Sequence, residues 1–331
     1  MRILLVKLSS LGDVVHSLPV VQDILLAMPE AQIDWVVEKS FATLLTQVEG
    51  LQRIIPCELR RWRKSIWAAQ TRREWRAFKA DLKQDRYDAV IDLQGLTKSA
   101  LVARLARLTQ NGKRYAMANQ TDGSGYEAPT RWVANVAIAI EPHIHAVARA
   151  RLLAAQALGY DLERLKIAPN YGLKMPSAQS LRAQAAPKNI AFIHGTSRHN
   201  KTWPQQNWAE LGQRFTAAGY QVVLVHGSAN ELATSQAIAA QLDGSSSVLP
   251  LLSLSDLTQE LGACHGAIGV DSGVSHIAVA LGLPHVQIYN FDTSWRTGPL
   301  GCDHQVSVFA QPCPTVEAVW QAWQLCESSA L

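Results

Sequence analysis

The loop His194 to Pro204 carries residue types that suit the binding of a phosphate group. It follows an apolar run, Asn189 to Ile193, and it ends where a helix is expected to begin. Helix N-terminal amides and a nearby lysine both favour anions, and open α/β sheets bind ligands at the carboxyl ends of their strands. The loop therefore predicts a phosphate site, with an ordinary polar connection as the alternative.

A second loop of the same kind follows the apolar run Ala267 to Val270 and reads Asp271-Ser272-Gly273 before a helix-length pattern. Because Gly273 has no Cβ, a phosphate can approach the helix-start amides of Ser272 and Gly273. The carboxylate of Asp271 repels phosphate, so we expect it to cap the helix or to orient the loop. His276 is either a buried core histidine or a ligand contact.

Asp13 ends the loop Lys7-Leu-Ser-Ser-Leu-Gly-Asp13, which lies between the first apolar strand and a helix. The loop lacks the glycine spacing of a dinucleotide fingerprint and the Gly-Lys pair of nucleoside triphosphatases. A carboxylate at a helix N-terminus is commonly a cap. At the carboxyl end of a strand that faces a cleft, it can instead act as a general base. The residues alone leave both roles open.

Positive charge is concentrated in residues 53–114, which hold sixteen Lys and Arg against six Asp and Glu, whereas the whole chain has a net charge of +4. The densest part, which we call the basic cluster, is Arg60-Arg-Trp-Arg-Lys64. From Arg72 onward, charges of both signs recur as on a solvated helix face. The basic cluster indicates an anionic partner, which can be a nucleic acid, an anionic membrane surface or an acidic substrate.

These residues must be positioned by strands and helices that alternate along the chain. We predict an α/β fold with two doubly wound Rossmann-like domains facing a central cleft. The predicted domains are residues 1–160 and 189–331, joined by a Pro- and Gly-containing linker over 161–188. The C-terminal helix either stays with the second domain or packs back on the first. Residues 109–130 are predicted to form a long loop.

Composition excludes several classes of protein for this 331-residue chain. No run of 18 apolar residues is present, so no membrane-spanning helix is expected. The start of the chain reaches Lys7 and Asp13 too soon for a signal peptide, which predicts a cytoplasmic protein. The five scattered cysteines predict free thiols. A metal site at His143-Ile-His145 is disfavoured because few ligand-type neighbours surround it.

Five separated segments resemble the heptosyltransferase family of GT-B glycosyltransferases, in order from Met1 to about Tyr289. The segments are Lys7 to Asp13, Arg60 to Lys64, Asp88-Ala-Val-Ile-Asp-Leu-Gln-Gly-Leu96, His194 to Pro204, and Val270-Asp-Ser-Gly-Val-Ser-His276. The resemblance implies an inverting transfer of heptose from ADP-L-glycero-D-manno-heptose. The basic cluster implies the branch of the family whose acceptor is the Kdo residue of Kdo2-lipid A.

The resemblance also implies the roles of particular residues. Asp13 would be the catalytic base. Donor binding falls to Thr196, Ser197, Lys201, Glu231, Asp271, Ser272, Gly273 and His276. Acceptor binding falls to Ser10, Gly12, Arg60, Arg61, Arg63, Lys64 and Lys98. No cofactor and no metal are expected, since the chain contains no Asp-x-Asp pair and Lys201 with two helix starts can neutralise departing ADP. The expected partners are ADP-heptose, Kdo2-lipid A and, through peripheral contact, the anionic cytoplasmic face of the inner membrane, without nucleic acid.

Three points stay open. Glu231 contacts ribose hydroxyls or only stabilises the first turn of its helix. Residues 290–299 depart from the turn that relatives more often show, which puts donor contacts from that loop in doubt. The competing functions are another sugar transfer or an epimerisation on the same fold, and a non-catalytic binder of anions or nucleic acid.

Overall fold

The computed structural model describes residues 1–161, 163, 167–174 and 188–329. The chain divides into two compact units, Met1–Gly172 and Leu173–Leu331. The division falls inside the predicted linker 161–188, of which residues 162, 164–166 and 175–187 lie outside the described residues, as do 330 and 331. Assigning the acceptor to the first unit and the donor to the second stays a prediction.

Both units alternate strands with helices. The strands of the first unit are Arg2–Val6 (β1), Gln32–Glu38 (β2), Leu51–Cys57 (β3), Arg86–Asp92 (β4), Arg107–Met117 (β5) and Val136–Ile138 (β6). Its helices are Leu11–Val15 (α1), Pro19–Ala27 (α2), Lys39–Leu45 (α3), Leu59–Trp62 (α4), Ala69–Leu82 (α5), Thr97–Leu105 (α6), Pro129–Val133 (α7) and Ala146–Leu158 (α8).

The second unit repeats the alternation. Its strands are Lys188–Ile193 (β7), Tyr220–Leu224 (β8), Ser246–Val248 (β9), Gly266–Val270 (β10), His285–Tyr289 (β11) and Gln305–Phe309 (β12). Its helices are Gln205–Ala217 (α9), Ala229–Ala239 (α10), Leu254–Ala263 (α11), Gly273–Ala280 (α12), Ser294–Thr297 (α13) and Val316–Ser329 (α14), with a 3-10 turn at His199–Lys201.

Each unit has one six-stranded sheet, ordered β3-β2-β1-β4-β5-β6 in the first and β12-β11-β10-β7-β8-β9 in the second. All neighbouring strands are parallel. The strand order reverses between β1 and β4, and between β7 and β10. Ligands of doubly wound sheets bind at the carboxyl ends of strands at this point. Asp13 in the first turn of α1 follows β1, and Lys98 in the first turn of α6 follows β4. In the second unit, the loops with Lys201 and Asp271 follow β7 and β10.

Apolar strands and helix faces build a separate core in each unit. Ile3, Leu4, Leu5 and Val6 of β1 are fully buried, as expected for a central parallel strand covered on both faces. In the second unit, α14 packs on β11, β12 and α9. A Cβ at Gly266 would lie 2.3 Å from the ring of Trp323 on α14, so this helix depends on a glycine in β10. The C-terminal helix thus contributes to the core of its own unit.

The sequence-based elements are largely confirmed, with three errors. Residues 109–117 of the predicted long loop over 109–130 belong to β5. Most residues of this strand are polar and partly exposed, so the sequence lacked the apolar pattern of a buried strand. The helix predicted from Asp13 onward is two helices, because Pro19 starts a second one. Strands β3, β6 and β12 were not predicted; all three carry exposed residues and lie at sheet edges, where apolar patterns weaken.

Two predictions from composition can be compared with the structure. All five cysteines are free thiols, as predicted. Among the described residues, no helix is both long enough and apolar enough to cross a membrane.

Candidate active site

Asp13 lies in the first turn of α1 and uses its two carboxylate oxygens differently. Oδ2 accepts hydrogen bonds from the backbone N–H of Ser10 at 3.1 Å and from Ser10 Oγ at 2.8 Å, which caps the helix. Oδ1 lies 3.8 Å from Lys7 Nζ and 3.9 Å from Arg149 Nη2. The Asp13 side chain is 38% exposed. The carboxylate is therefore a helix cap that also presents an oxygen between two cations.

The charges around Asp13 decide its protonation. Burial raises the pKa of Asp13, but Lys7, the hydrogen bonds from Ser10 and Arg149 together lower it to about 2. Burial lowers the pKa of Lys7 to about 8, although Asp13 opposes that change. Asp13 is thus ionised across the physiological range, as an acceptor of protons must be before it reacts.

Arg149 was not predicted as a site residue. It lies in α8, is only 7% exposed, and donates from Nη1 to Thr121 Oγ1 at 3.0 Å. Its place near Asp13 comes from packing between segments that are distant in the sequence. A signal was present, because α8 is apolar apart from Gln156 and the two arginines Arg149 and Arg151, both of which are buried. The second of these forms a buried ion pair with Asp23, at 2.6 Å between Nε and Oδ2.

The loop after β4 holds the Asp13 loop in place. Gln94 Oε1 accepts hydrogen bonds from the backbone N–H groups of Leu8 and Ser9, at 3.1 and 3.0 Å. Lys98 Nζ donates to Ser9 Oγ at 2.9 Å. The predicted acceptor residues Ser10, Gly12 and Lys98 are therefore brought together around the first turn of α1. The segment Asp88 to Leu96, which contains Gln94, contacts the same loop.

A stability measurement tests the burial of Lys7. Its ordinary pKa of 10.5 falls to about 8 in the folded chain, so between these values the unfolded chain holds more protons. Stability should therefore rise with pH across this window, by roughly 3 kcal/mol, and be lost as pH falls through 8. Denaturant unfolding at pH 7 to 10.5 should show this rise in the wild type but not in Lys7→Met. The exposed residue Lys64 provides the control: Lys64→Met should keep the wild-type slope.

In the second unit, Lys201 and Asp271 form an ion pair through Nζ and Oδ2. Thr196 Oγ1 donates to the carbonyl of Asp271 at 3.3 Å, so the loops after β7 and β10 are joined twice. Burial raises the pKa of Asp271, but His276 and Lys201 hold it well below the usual range. Lys201, predicted to face the donor diphosphate, is engaged by a carboxylate in the structure.

The start of α12 refines the predicted roles of its loop. Ser272 is the N-cap, and its side chain accepts a hydrogen bond from the N–H of Ser275 at 3.4 Å. Asp271 does not cap this helix; it orients the loop by binding Lys201, which is the other role expected for it. His276 is buried, with Nε2 3.4 Å from Asp271 Oδ1. The structure therefore places His276 behind Asp271, as a support for that carboxylate.

Glu231 stabilises the start of its helix and also lines a cavity. Its Oε2 accepts from the backbone N–H of Gly227 at 2.7 Å at the start of α10, which is a capping contact. The same carboxylate lines a cavity of about 510 Å³ together with Thr196 and Ser228. A Cβ at Gly195 would lie 2.6 Å from Glu231 Cδ, so glycine permits this approach. A cavity of this size suits a small ligand.

Two residues that sequence reasoning did not identify hold the loop after β7. Trp203 is buried, and its Nε1 donates to the carbonyl of Pro314 at 2.8 Å. Asn290 Nδ2 donates to the carbonyl of Thr202 at 2.9 Å and to that of Asn200 at 3.3 Å. The divergent segment 290–299 thus supports the phosphate-type loop from its first residue. Ser197 is exposed in this loop.

The cations of the basic cluster differ in their contacts within the protein. Arg61 forms ion pairs with Glu58 and Glu74, and Trp62 Nε1 donates to Glu74 at 2.8 Å. Arg61 is therefore committed to the local structure, which the charge pattern alone could not show. The side chains of Arg60, Arg63 and Lys64 are exposed.

The paired histidines His143 and His145 make separate contacts. His143 Nδ1 lies 3.1 Å from Asp122 Oδ2, whereas His145 caps α8. Among the described residues, no group of three or more His, Cys, Asp or Glu side chains has metal-binding geometry.

The chain is similar in sequence and in fold to known heptosyltransferases. Residues 75–319 match the sequence profile of glycosyltransferase family 9 (heptosyltransferase). Lipopolysaccharide heptosyltransferase 1 of Pseudomonas aeruginosa is 38% identical, covering 91% of this chain and 82% of the relative. E. coli heptosyltransferase WaaC with ADP superposes with a TM-score of 0.84 at 32% identity, covering 97% of this chain and 98% of that one. WaaC with ADP-2-deoxy-2-fluoro heptose gives 0.80 at the same identity and coverage.

The two doubly wound units, with anion-type loops at both points where the strand order reverses, match WaaC and give the GT-B fold of glycosyltransferases, as predicted. The chain belongs to glycosyltransferase family 9, the heptosyltransferases.

Proposed function

We propose that this chain transfers L-glycero-D-manno-heptose from ADP-heptose to the Kdo residue of Kdo2-lipid A, with inversion and without a metal ion. The observation that carries the proposal is Asp13, an ionised carboxylate held between Lys7 and Arg149 at the carboxyl end of β1. Relatives support the choice of substrates: one is named lipopolysaccharide heptosyltransferase 1, and WaaC structures contain ADP and a fluorinated ADP-heptose.

The donor is assigned to the second unit. The cavity beside Glu231 and Thr196 accommodates the nucleoside, and the backbone amides of Ser272 and Gly273 at the start of α12 face the diphosphate. Lys201 exchanges its partner Asp271 for the diphosphate or shares its charge between the two. Ser197 adds a hydroxyl from the same loop, and His276 acts indirectly by holding Asp271.

The reaction is a single displacement. The acceptor hydroxyl oxygen attacks the anomeric carbon of heptose, its proton passes to Asp13, and the bond to the ADP oxygen breaks. The negative charge that develops on ADP is stabilised by Lys201 and by the helix-start amides. No covalent enzyme intermediate is needed, since one base and one anion site are sufficient for inversion.

Binding of the acceptor is also expected to change the pKa of Asp13. With a pKa of about 2, Asp13 is a weak proton acceptor in the free protein. A Kdo carboxylate bound near Lys7 and Arg149 would weaken their attraction for Asp13 and raise its pKa. Acceptor binding thereby brings the base closer to the range in which proton transfer is efficient.

Binding of ADP separates this proposal from a nucleic-acid binder. ADP at about 100 times its Kd should stabilise the protein by about 2.7 kcal/mol, seen as a rise in Tm. Random oligonucleotides at equal concentration should leave Tm unchanged. Stabilisation by oligonucleotides without stabilisation by ADP would assign the basic cluster to nucleic acid and remove the support for a donor site.

The exposed cations of the basic cluster are predicted to bind the acceptor. Replacing Arg60, Arg63 and Lys64 together by glutamine should raise the acceptor KM on the order of 100-fold, since each cation contributes about 1 kcal/mol near an anionic surface. The Kd for ADP should stay unchanged. Raising ionic strength from about 0.01 M to 0.15 M should also weaken acceptor binding, because the Debye length shrinks from about 30 Å to about 8 Å.

The matched control removes three exposed cations from α5 and its C-terminal end, as Arg73→Gln, Arg76→Gln and Lys83→Gln. This variant should keep the wild-type acceptor KM. If both triple variants raised KM equally, only net charge would matter. If neither raised it, the basic cluster would be a solvated surface and the acceptor would bind elsewhere.

We place the protein at the cytoplasmic face of the inner membrane, as a peripheral enzyme. The charge of the basic cluster supports this placement, because anionic lipids attract such segments within a Debye length of the surface.

A further inference from the structure

An apolar groove of about 400 Å³ lies beside the basic cluster in the first unit. Its apolar lining comes from Leu59, Trp62, Ile66, Trp75 and Leu101 on and around α4, α5 and α6. Neither the proposed base nor the proposed donor residues line it. Arg63 and Lys98, which also line the groove, are predicted to bind the acceptor, but the heptose transfer described above assigns no role to the apolar lining.

The floor of the groove is rigid. The Trp62 ring packs 5.7 Å from that of Trp75 and 5.6 Å from that of Phe78, measured between centroids. Trp62 Nε1 is held by Glu74 at 2.8 Å, and Glu74 also binds Arg61. The ion pair of Arg61 thus fixes the indole that forms the floor. A preformed apolar surface loses little conformational freedom when a ligand binds.

The walls of the groove expose apolar surface that the fold leaves uncovered. Ile66 is 53% exposed and Leu101 is 47% exposed. Removing such surface from water is favourable by roughly 25 cal/mol per Å², so an apolar ligand that covered it would gain affinity. A hydrocarbon chain is long and narrow and makes no hydrogen bonds, which suits walls of this kind.

The groove is also lined by cations. Arg63, Arg72 and Lys98 contribute to its lining together with the apolar residues. An anionic head group can pair with them while its chain lies on the apolar floor. A second copy of this protein does not fit, because its own cations would then lie against the cations of this groove. A neutral apolar peptide would leave the three cations without a partner.

Lys98 connects the groove to the proposed acceptor site. Lys98, which lines the groove, donates from Nζ to Ser9 Oγ at 2.9 Å. The next residue, Ser10, holds the carboxylate of Asp13. A ligand with anionic groups at Lys98 can therefore place a sugar toward Asp13 and a chain in the groove.

We propose that the groove binds a hydrocarbon chain of the anionic lipid acceptor while the sugar of that acceptor is at Asp13. The proposal rests on the proposed function for the identity of the acceptor, but not for the chemistry of the groove. It commits to a single chain taken up by the protein, with the bilayer as a different outcome of the test.

The first test uses single-chain alkyl phosphates below their critical micelle concentration, with no donor present. Each added methylene should lower Kd about fourfold until the groove is full, after which Kd should become constant. Calorimetry gives Kd, and a brominated chain should quench fluorescence from Trp62 and Trp75. A Kd that does not depend on chain length would overturn the proposal.

Variants locate the binding. Ile66→Ser and Leu101→Ser should weaken binding of the alkyl phosphates about tenfold or more and leave circular dichroism and Tm near those of the wild type. The matched control is Trp67→Ser, since Trp67 is 83% exposed, adjacent in sequence and outside the groove lining. This control should bind the alkyl phosphates like the wild type. Equal weakening by Trp67→Ser would contradict a defined groove.

Transfer assays separate failure of the groove from failure of the proposed function. With Kdo2-lipid A, Leu101→Ser should raise KM and keep kcat, whereas with fully deacylated acceptor it should match the wild type. Equal effects on both acceptors would overturn the groove. If the variants impaired only adhesion to anionic vesicles, the surface would be a bilayer contact instead. Normal alkyl phosphate binding without any transfer would leave the groove intact and refute the proposed function.

Discussion

Replacing Asp13 by asparagine should lower the rate of heptose transfer by about 10² to 10⁴, the usual loss when a general base is removed. Asparagine keeps an oxygen that can accept the hydrogen bonds from Ser10, so the cap on α1 should survive. The substitution therefore separates the role of Asp13 as a helix cap from its proposed role as the base. The Kd for ADP should stay within about twofold of the wild type, because the donor is assigned to the other unit.

Single-turnover rates at saturating donor and acceptor measure this effect without interference from product release. Ser10→Ala is the matched control: it removes one hydrogen bond to Asp13 and one predicted acceptor contact but leaves the carboxylate, so with saturating acceptor it should keep most of the rate. If Asp13→Asn retained more than half of the wild-type rate, Asp13 would be only a cap. Parallel loss of ADP binding would contradict its assignment to the acceptor side.

Lys201→Met should weaken ADP-heptose binding and slow transfer together, because a cation on the diphosphate acts in both the ground state and the transition state. A loss of about 10² to 10³ in rate is typical when one preorganised group of this kind is removed. The substitution also leaves Asp271, which is only 6% exposed, without its ammonium partner. We therefore expect a loss of about 1–3 kcal/mol in the free energy of unfolding.

A double variant separates the two effects of Lys201→Met. Adding Asp271→Asn removes the unpaired carboxylate, so stability should recover while transfer stays low. Denaturant unfolding and steady-state kinetics on the wild type, both single variants and the double variant measure the two quantities. If transfer recovered together with stability, Lys201 would serve only to neutralise Asp271, and the diphosphate would be held by other groups.

The sequence predicted the strand–helix alternation and the loops at the switch points because both depend on local patterns. A buried strand such as β1 is almost entirely apolar, and the loop that follows it contains the small polar residues Ser9 and Ser10. In each parallel sheet, the carboxyl ends of the strands lie at one edge of that sheet. This places Asp13 and Lys98 near the edge of the first sheet, and Lys201 and Asp271 near the edge of the second.

The pairings between these loops could not be predicted in the same way. Arg149 reaches Asp13 because α8 packs where it does, and no local pattern fixes that packing. The commitment of Arg61 to Glu58 and Glu74 depends on the placement of α4 beside α5. Charge counts identified the basic cluster as a whole, but side-chain geometry was needed to separate its structural arginine from its exposed cations.

The most direct test of the account is mass spectrometry of the lipid formed from ADP-heptose and Kdo2-lipid A by the purified protein in the presence of EDTA. We predict a product heavier by one heptose residue, with ADP released in equal amount, and no such product with Asp13→Asn in the same reaction time. The account would be contradicted if folded, ADP-binding protein left Kdo2-lipid A unmodified, or if transfer occurred only after Mg²⁺ was restored.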